Sequence, residues 1–306
     1  MRRAARSIII IAAYAAATGC ADSSAVDQTG PTQPNPPDSF VPERQTIYVA
    51  NADGSNATRL TIGNWPSWSP DGRRIAFYRG ATQALPQSIY VINVDGSGEF
   101  LLAPGRSPSW SPDGKRIVFS DDAGMEIMSA AGSNKTLLLS RDYYDAAYPA
   151  TDLPAGNPVW SPDGIRIAFE RPTTGYEPAQ QVYIINADGS NRHALNVGNA
   201  LYDESDPAWS PDGHLLAYWT AQQGIAIADL DRGTESAAFS GLSLVDFGAR
   251  PTWSPDGATL AFRSSLLGGS IVGLSLRSGA VQVLVRGGYD VSYSPDGKHI
   301  AFTGAQ

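Results

Sequence analysis

Short apolar segments recur along the chain, and each one is followed by polar residues that favour turns. Six of these segments are triplets of an Ile or Leu, a small residue and an aromatic residue: Ile75–Phe77, Ile117–Phe119, Ile167–Phe169, Leu216–Tyr218, Leu260–Phe262 and Ile300–Phe302. Consecutive side chains of a strand point to opposite faces. A run that is apolar throughout is therefore typical of a strand buried on both sides, and each triplet predicts one.

A fixed phrase precedes every triplet. An aromatic residue begins Trp-Ser-Pro-Asp-Gly at Trp68, Trp110, Trp160, Trp209 and Trp253, and Tyr293 begins a sixth copy with Tyr in place of Trp. Ser, Pro and Gly occupy the turn positions that a type I turn favours, so each phrase predicts a hairpin. Successive copies are 42, 50, 49, 44 and 40 residues apart, a spacing that suits four short strands and one propeller blade.

Small residues flank the aromatic anchors of this repeat. Ser67, Val159, Ala208 or Thr252 precedes an anchor, and a Ser follows each one. Because neighbouring side chains of a strand alternate between faces, we expect a bulky face and a small face on this strand. The tryptophans are therefore interpreted as core residues that pack between blades.

The two ends of the repeat region complement each other. Residues 46–55 form a second hairpin without a first, closed by Asn-Ala-Asp-Gly-Ser, and the last triplet ends a first hairpin without a second. Joining both halves completes one sheet and leaves no long unpaired edge. We therefore predict an all-β fold, a six-bladed β-propeller over residues 46–306, closed by N- and C-terminal strands that share the last blade.

The repeated phrase Pro-x-Trp-Ser-Pro-Asp-Gly-x-x-Ile-Ala-Phe, with Ile-Tyr-Val-x-Asn-x-Asp-Gly-Ser between copies, resembles the WD-like repeat of the TolB-type β-propeller family. The resemblance covers nearly all of the chain from Thr46 onward. It implies the propeller fold but no particular activity, because propellers host unrelated functions.

Residues 1–19 are similar to a bacterial lipoprotein signal peptide. Three arginines precede an apolar run from Ser7 to Ala17 that is too short to span a bilayer, and Ala17-Thr18-Gly19-Cys20 resembles a lipobox. The resemblance implies lipidation of Cys20, the only cysteine, and an anchored protein facing the periplasm or the cell surface. The alternative is ordinary secretion with a free thiol. Residues 20–45 are rich in Pro and polar residues, which predicts a disordered linker.

The charge of the mature chain restricts its partners. Loss of the three arginines of the signal leaves 19 Lys+Arg against 30 Asp+Glu, a net charge of −11. Such a chain repels phosphate backbones, so we expect no nucleic-acid partner. A protein partner or a small ligand in the envelope is expected instead, without a cofactor, and the oligomeric state stays open.

Two sets of residues are candidates for binding. The turns of the repeat should share one face of the propeller, so the irregular loops lie on the other face, where binding residues are common. One candidate surface on these loops comprises Tyr143, Tyr144, Asp145, Tyr148, Asp152, Arg171, Tyr176, Tyr202 and Glu204. The second candidate is a ring at the channel mouth, three residues before each anchor: Trp65, Ser107, Asn157, Asp206, Arg250 and Asp290.

The sequence contains few residues or motifs that could form a catalytic site. Only His193, His214 and His299 could supply imidazole, and they belong to different repeats, so neither a metal site nor an acid–base site is expected from them. No Gly-x-Ser-x-Gly motif of a serine hydrolase occurs. We therefore expect a non-catalytic binding module. The alternative is a carbohydrate- or peptide-active enzyme whose carboxylates, among them Asp145, Asp152, Asp206 and Glu170, converge on the loop face.

Overall fold

The computed structural model describes residues 45–80, 86–140, 156–172, 180–195, 204–221, 223–239, 249–265 and 268–304. These residues form strands and turns, and this part of the chain contains no helix long and apolar enough to cross a membrane. The strands are β1 (Thr46–Asn51), β2 (Thr58–Ile62), β3 (Asn64–Trp68), β4 (Arg74–Arg79), β5 (Ser88–Asn93), β6 (Phe100–Pro104), β7 (Arg106–Trp110), β8 (Arg116–Asp121), β9 (Gly124–Ser129), β10 (Thr136–Ser140), β11 (Gly156–Trp160) and β12 (Arg166–Pro172). They continue with β13 (Gln180–Asn186), β14 (His193–Ala194), β15 (Glu204–Trp209), β16 (Leu215–Thr220), β17 (Gly224–Asp229), β18 (Thr234–Phe239), β19 (Thr252–Trp253), β20 (Thr259–Ser264), β21 (Ser270–Ser275), β22 (Val281–Val285), β23 (Gly288–Tyr293) and β24 (His299–Gly304).

The strands form six antiparallel sheets of four strands each, which confirms the predicted six-bladed propeller. Blades 1 to 5 are β3–β6, β7–β10, β11–β14, β15–β18 and β19–β22. Blade 6 has the order β2-β1-β24-β23, so strands from both ends of the chain share it as predicted. Strand β1 pairs with β24 along its whole length, from Thr46 opposite Gly304 to Asn51 opposite His299. The ring is therefore closed by main-chain hydrogen bonds.

The core lies between the blades. Every residue of the six triplets is buried, with Phe302 the most exposed at 4%. The middle residue of each triplet is the socket for the aromatic anchor of the next blade: Ala76 for Trp110, Val118 for Trp160, Ala168 for Trp209, Ala217 for Trp253, Ala261 for Tyr293 and Ala301 for Trp68. The core role of the tryptophans is confirmed. Two of the residues that precede an anchor also belong to these interfaces: Val159 packs in the cluster of Trp209, and Ala208 packs in that of Trp253.

The Ser-Pro-Asp-Gly turns are stabilised from within. In the first of them the Gly72 amide donates to the Ser69 carbonyl at 2.9 Å. The Ser69 hydroxyl donates to Asp71 Oδ1 at 2.5 Å and accepts from the Arg74 amide at 2.9 Å. The hydrogen bond from Ser69 lowers the pKa of Asp71. The Asp of this phrase therefore helps to form the turn.

Candidate functional site

The channel-mouth ring predicted from the sequence consists of residues in a strained backbone conformation. Trp65, Ser107, Asn157, Asp206, Arg250 and Asp290 have φ values of 58°, 52°, 51°, 55°, 44° and 44°, in the left-handed region. This region costs an L-residue about 1–2 kcal/mol. Five of the six precede a proline, and in the five blades other than blade 5 the ladder of the innermost strand shifts register around the ring residue. A bulge of this kind re-aims a side chain and is common beside functional sites.

The ring side chains contact one another across blade boundaries. The Ser107 hydroxyl donates to Asn157 Oδ1 at 3.1 Å, and Asn157 Nδ2 donates to Asp206 Oδ1 at 2.9 Å. The innermost strands β3, β7, β11, β15, β19 and β23 also contact one another around the ring. The six positions therefore converge on the channel.

Arg250 is the cation of this ring. Its Nε lies 3.5 Å from Asp206 Oδ1, and its Nη1 lies 3.4 Å from Asp290 Oδ1. Its guanidinium carbon lies 3.2 Å from the centre of the Trp65 ring, a cation–π contact. The Arg250 side chain is 23% exposed whereas that of Asp206 is 4% exposed, so the guanidinium is the more accessible partner.

A third carboxyl group, that of Glu170 on β12, lies behind the ring. Its Oε1 accepts from Asn157 Nδ2 at 2.8 Å and its Oε2 accepts from the Asp206 amide at 3.0 Å. Burial, followed by the charge of Asp206, raises the pKa of Glu170 to about 8. Burial also raises the pKa values of Asp206 and Asp290, while Arg250 opposes the shift. One cation thus faces three carboxyl groups, and burial favours the protonated form of each of them.

The ring encloses a small cavity of about 130 Å³. Its wall combines five of the ring residues, all except Asp290, with the prolines that follow them, including Pro66, Pro158 and Pro207. Aromatic, apolar, amide and charged groups therefore meet around one opening. Among the residues that the structure describes, no group of three or more His, Cys, Asp or Glu side chains is arranged to hold a metal ion.

Most of the predicted loop surface lies outside the described residues, namely Tyr143, Tyr144, Asp145, Tyr148, Asp152, Tyr176 and Tyr202. The structure describes the remaining two members, Arg171 and Glu204, whose exposures are 8% and 3%. Glu204 begins β15 and its Oε2 accepts from the Val182 amide at 3.2 Å. Burial raises the pKa of Glu204 to about 7.

Of the carboxylates considered for catalysis, the structure brings Glu170 and Asp206 together, whereas Asp145 and Asp152 lie outside the described residues. The three histidines do not converge: His214 pairs with Asp231 at 2.7 Å, His193 contacts the Asn191 carbonyl at 2.9 Å, and His299 begins β24. Sequence reasoning missed the left-handed backbone of the ring, because a residue that precedes a proline is expected in the extended region instead.

Comparisons with known proteins agree with this architecture. The model of the TolB beta propeller domain family matches residues 145–306, just over half of the chain. No curated protein matches the chain in sequence. A putative TolB from Agrobacterium tumefaciens is 18% identical with a TM-score of 0.68, over 86% of this chain and 98% of that one.

Two further solved structures show how widely the fold is shared. TolB from Acinetobacter baumannii is 17% identical with a TM-score of 0.56, over 86% of this chain and 64% of that one. A gluconolactonase from Xanthomonas campestris is 15% identical with a TM-score of 0.57, over 85% and 95% of the two chains. Similarity at this level shows the fold alone. Together with the family match and the six repeats, it establishes that the chain belongs to the TolB β-propeller family.

Proposed function

We propose that this protein is a lipid-anchored, non-catalytic binding module of the bacterial envelope, and that the channel mouth accepts one side chain or one chain end of a protein partner. The observation that carries the proposal is the convergence of five of the six strained residues on one small cavity. Strained backbone of this kind persists only where the surrounding structure stabilises it, and such residues cluster at functional sites.

The volume of the cavity limits the size of the group that it can hold. Sites for whole small molecules measure roughly 300–1,000 Å³. A cavity of about 130 Å³ is smaller and suits a single inserted group. Trp65 supplies an apolar surface and Arg250 a partly exposed cation, so an inserted group with an apolar body and a polar tip fits the wall.

The envelope location rests on the N-terminal sequence and on the family. The TolB proteins to which the chain is similar support an exported propeller. Residues 1–19 would direct export, the lipidated Cys20 would attach the chain to a membrane, and residues 20–45 would tether the propeller at residues 46–306. These N-terminal residues lie outside the described part of the chain, apart from Gln45.

Crosslinking in intact cells tests the mouth. The full chain and its Trp65→Ala and Arg250→Gln variants would be crosslinked and the attached proteins quantified by mass spectrometry. The matched control is Arg73→Gln, an exposed arginine in the turn after β3. We expect a partner that is lost from both mouth variants and retained by the control. Equal partner profiles in all four proteins would remove the mouth as the binding site.

The anchor has a separate test. Radiolabelled palmitate should enter the wild-type protein and be absent from Cys20→Ala, and the wild type should sediment with membranes. Equal labelling of both proteins, or labelling of neither, would contradict lipidation at Cys20.

A catalytic role is the second candidate, and the Glu170–Asp206 pair is the observation that favours it. A carboxyl group with a pKa of about 8 carries a proton at neutral pH, as a general acid must. Against this, hydrogen bonds within the ring already engage both oxygens of Glu170. A screen of oligosaccharides and peptides for turnover would support catalysis only if wild-type activity disappears in Glu170→Gln.

A further inference from the structure

The clefts between neighbouring blades on the turn face are closed by arginines of the protein itself. The residue that precedes the triplet in blades 1, 2 and 3 is Arg74, Arg116 or Arg166. Each guanidinium lies over the anchor of the next blade, at 4.9 Å from Trp110, 4.6 Å from Trp160 and 4.6 Å from Trp209, respectively. Three successive clefts therefore bind the same planar cation in the same place.

Arg166 shows what surrounds the cation in such a cleft. Its Nη2 donates to the Gly213 carbonyl of the next blade at 3.2 Å. The same nitrogen lies 3.5 Å from Asp163 Oδ2 in the turn of its own blade. A guanidinium here has an aromatic ring beneath it, a carbonyl on one side and a carboxylate on the other, which matches its planar shape and its charge.

The cleft between blade 6 and blade 1 has the same surroundings without the arginine. His299 occupies the arginine position, and Trp68, Gly72 and Asp296 correspond to Trp209, Gly213 and Asp163. All four line a cavity of about 670 Å³ on the turn face. Because a histidine side chain is much shorter than an arginine side chain, it leaves room where three other clefts hold a guanidinium.

The charge of this cavity is complementary to a cation. Asp71 and Asp296 both line it, and none of the lining residues that the structure describes is Lys or Arg. Hydrogen bonds from Ser69 and Ser294 lower the pKa values of these two carboxyls, so both are ionised at neutral pH. Each accepts from its serine through Oδ1.

The two remaining clefts differ from this one. In blade 4 the equivalent residue is Leu215, which packs against the core cluster containing Trp253 and so closes that cleft with apolar contacts. In blade 5 it is Thr259, and the next anchor is Tyr293 rather than Trp. Among the described clefts, the one beside Trp68 combines a Trp anchor with a short polar residue in the arginine position.

From this repetition we infer that the cleft lined by Trp68, Asp296 and His299 binds the guanidinium group of an arginine supplied by a ligand. The site is on the opposite face from the channel mouth and does not depend on the function proposed there. A lysine ammonium binds less well, because it is not planar. It cannot stack on the Trp68 ring while donating to the Gly72 carbonyl and the Asp296 carboxylate.

Titration of the full chain with N-acetyl-arginine methylamide, followed by calorimetry or NMR, tests the inference. We expect saturable binding to the wild type, and at least about tenfold weaker binding of the neutral citrulline analogue and of the lysine analogue. His299→Arg fills the cleft from within, so it should lose binding while unfolding no more easily than the wild type. His214→Arg makes the same replacement at an exposed histidine of another blade and should bind as the wild type does.

A second variant creates the site elsewhere. Arg116→Ala empties the cleft over Trp160, so the number of bound arginine derivatives per chain should rise from one to two. Equal binding of the arginine and citrulline compounds, unchanged binding to His299→Arg, or no additional site in Arg116→Ala would each overturn the inference. Arg250→Gln should bind normally, which separates this result from the test of the channel mouth.

The same titration identifies the source of the guanidinium. Stronger binding of the capped derivative than of free arginine indicates a side chain within a polypeptide. The reverse order indicates a free amino acid or a related small molecule.

Discussion

Replacing Glu170 by Gln should change how the stability of the propeller depends on pH. The carboxyl group of Glu170 has an ordinary pKa of 4.5, and the folded protein raises this pKa to about 8. The folded state therefore holds a proton that the unfolded state has released over this interval. By linkage, the free energy of unfolding falls as the pH rises from 4.5 to about 8, and this contribution is constant outside that window.

The structure sets the size of the effect. Each unit of pKa difference corresponds to about 1.4 kcal/mol. The rise in the pKa of Glu170 from 4.5 to about 8 therefore lowers the free energy of unfolding by a total on the order of 5 kcal/mol between these pH values, at a slope of up to about 1.4 kcal/mol per pH unit. Glu170→Gln removes this slope. It also exchanges one accepting oxygen for a donor, which loses a hydrogen bond worth about 1 kcal/mol. The variant should be less stable than the wild type near pH 5 and more stable near pH 8.

Urea denaturation followed by tryptophan fluorescence, at pH values from about 4.5 to 8.5, measures the free energy of unfolding of the wild type and of Glu170→Gln as a function of pH. Asp122→Asn makes the same change from carboxyl to amide at an exposed turn residue and should run parallel to the wild type. Crossing of the Glu170→Gln and wild-type curves would support the reasoning, since a lost hydrogen bond alone shifts a curve without tilting it. Parallel curves for all three proteins would refute the raised pKa.

Three other perturbations test the fold. Trp209→Ala should lower the free energy of unfolding by about 3–5 kcal/mol because it empties an interblade socket, whereas Trp209→Phe should cost less; urea denaturation measures both, and equal costs would contradict the packing role. Ending the chain at Lys298 removes β24, which pairs with both β1 and β23, so cooperative unfolding and near-UV dichroism should be lost; a cooperative truncated protein would contradict the shared blade. Glu204→Gln should flatten the stability curve between pH 4.5 and about 7, and an unchanged slope would show that burial does not raise this pKa.

The acidic groups at the channel mouth and the arginine-lined clefts have the same physical origin. Both arise where equivalent positions of successive blades meet around the ring. The residue type at such a position in one blade therefore decides which groups the neighbouring blades contact. At the mouth, Arg250 is shared between Asp206 and Asp290. In the cleft beside Trp68, His299 takes the position at which three other clefts hold an arginine.

The sequence by itself determined the architecture. A repeat of 40 to 50 residues, apolar triplets and type I turn residues predict blades from local rules, because strand alternation and turn geometry depend on neighbouring residues. The half blade at each end predicted the closure, and the offset from the anchors located the mouth residues. The predictions of a signal peptide and a lipobox likewise rest on local sequence alone.

Only the tertiary structure decided which of these residues meet and with what charge. Asn157 and Asp206 are 49 residues apart and Arg250 and Asp290 are 40 apart, so their contacts depend on the stacking of whole blades. The same stacking buries Glu204, raises the pKa of Glu170 and leaves the cleft beside Trp68 open. Burial and the distance between charges are properties of the packed ring, and the sequence of a single repeat does not contain them.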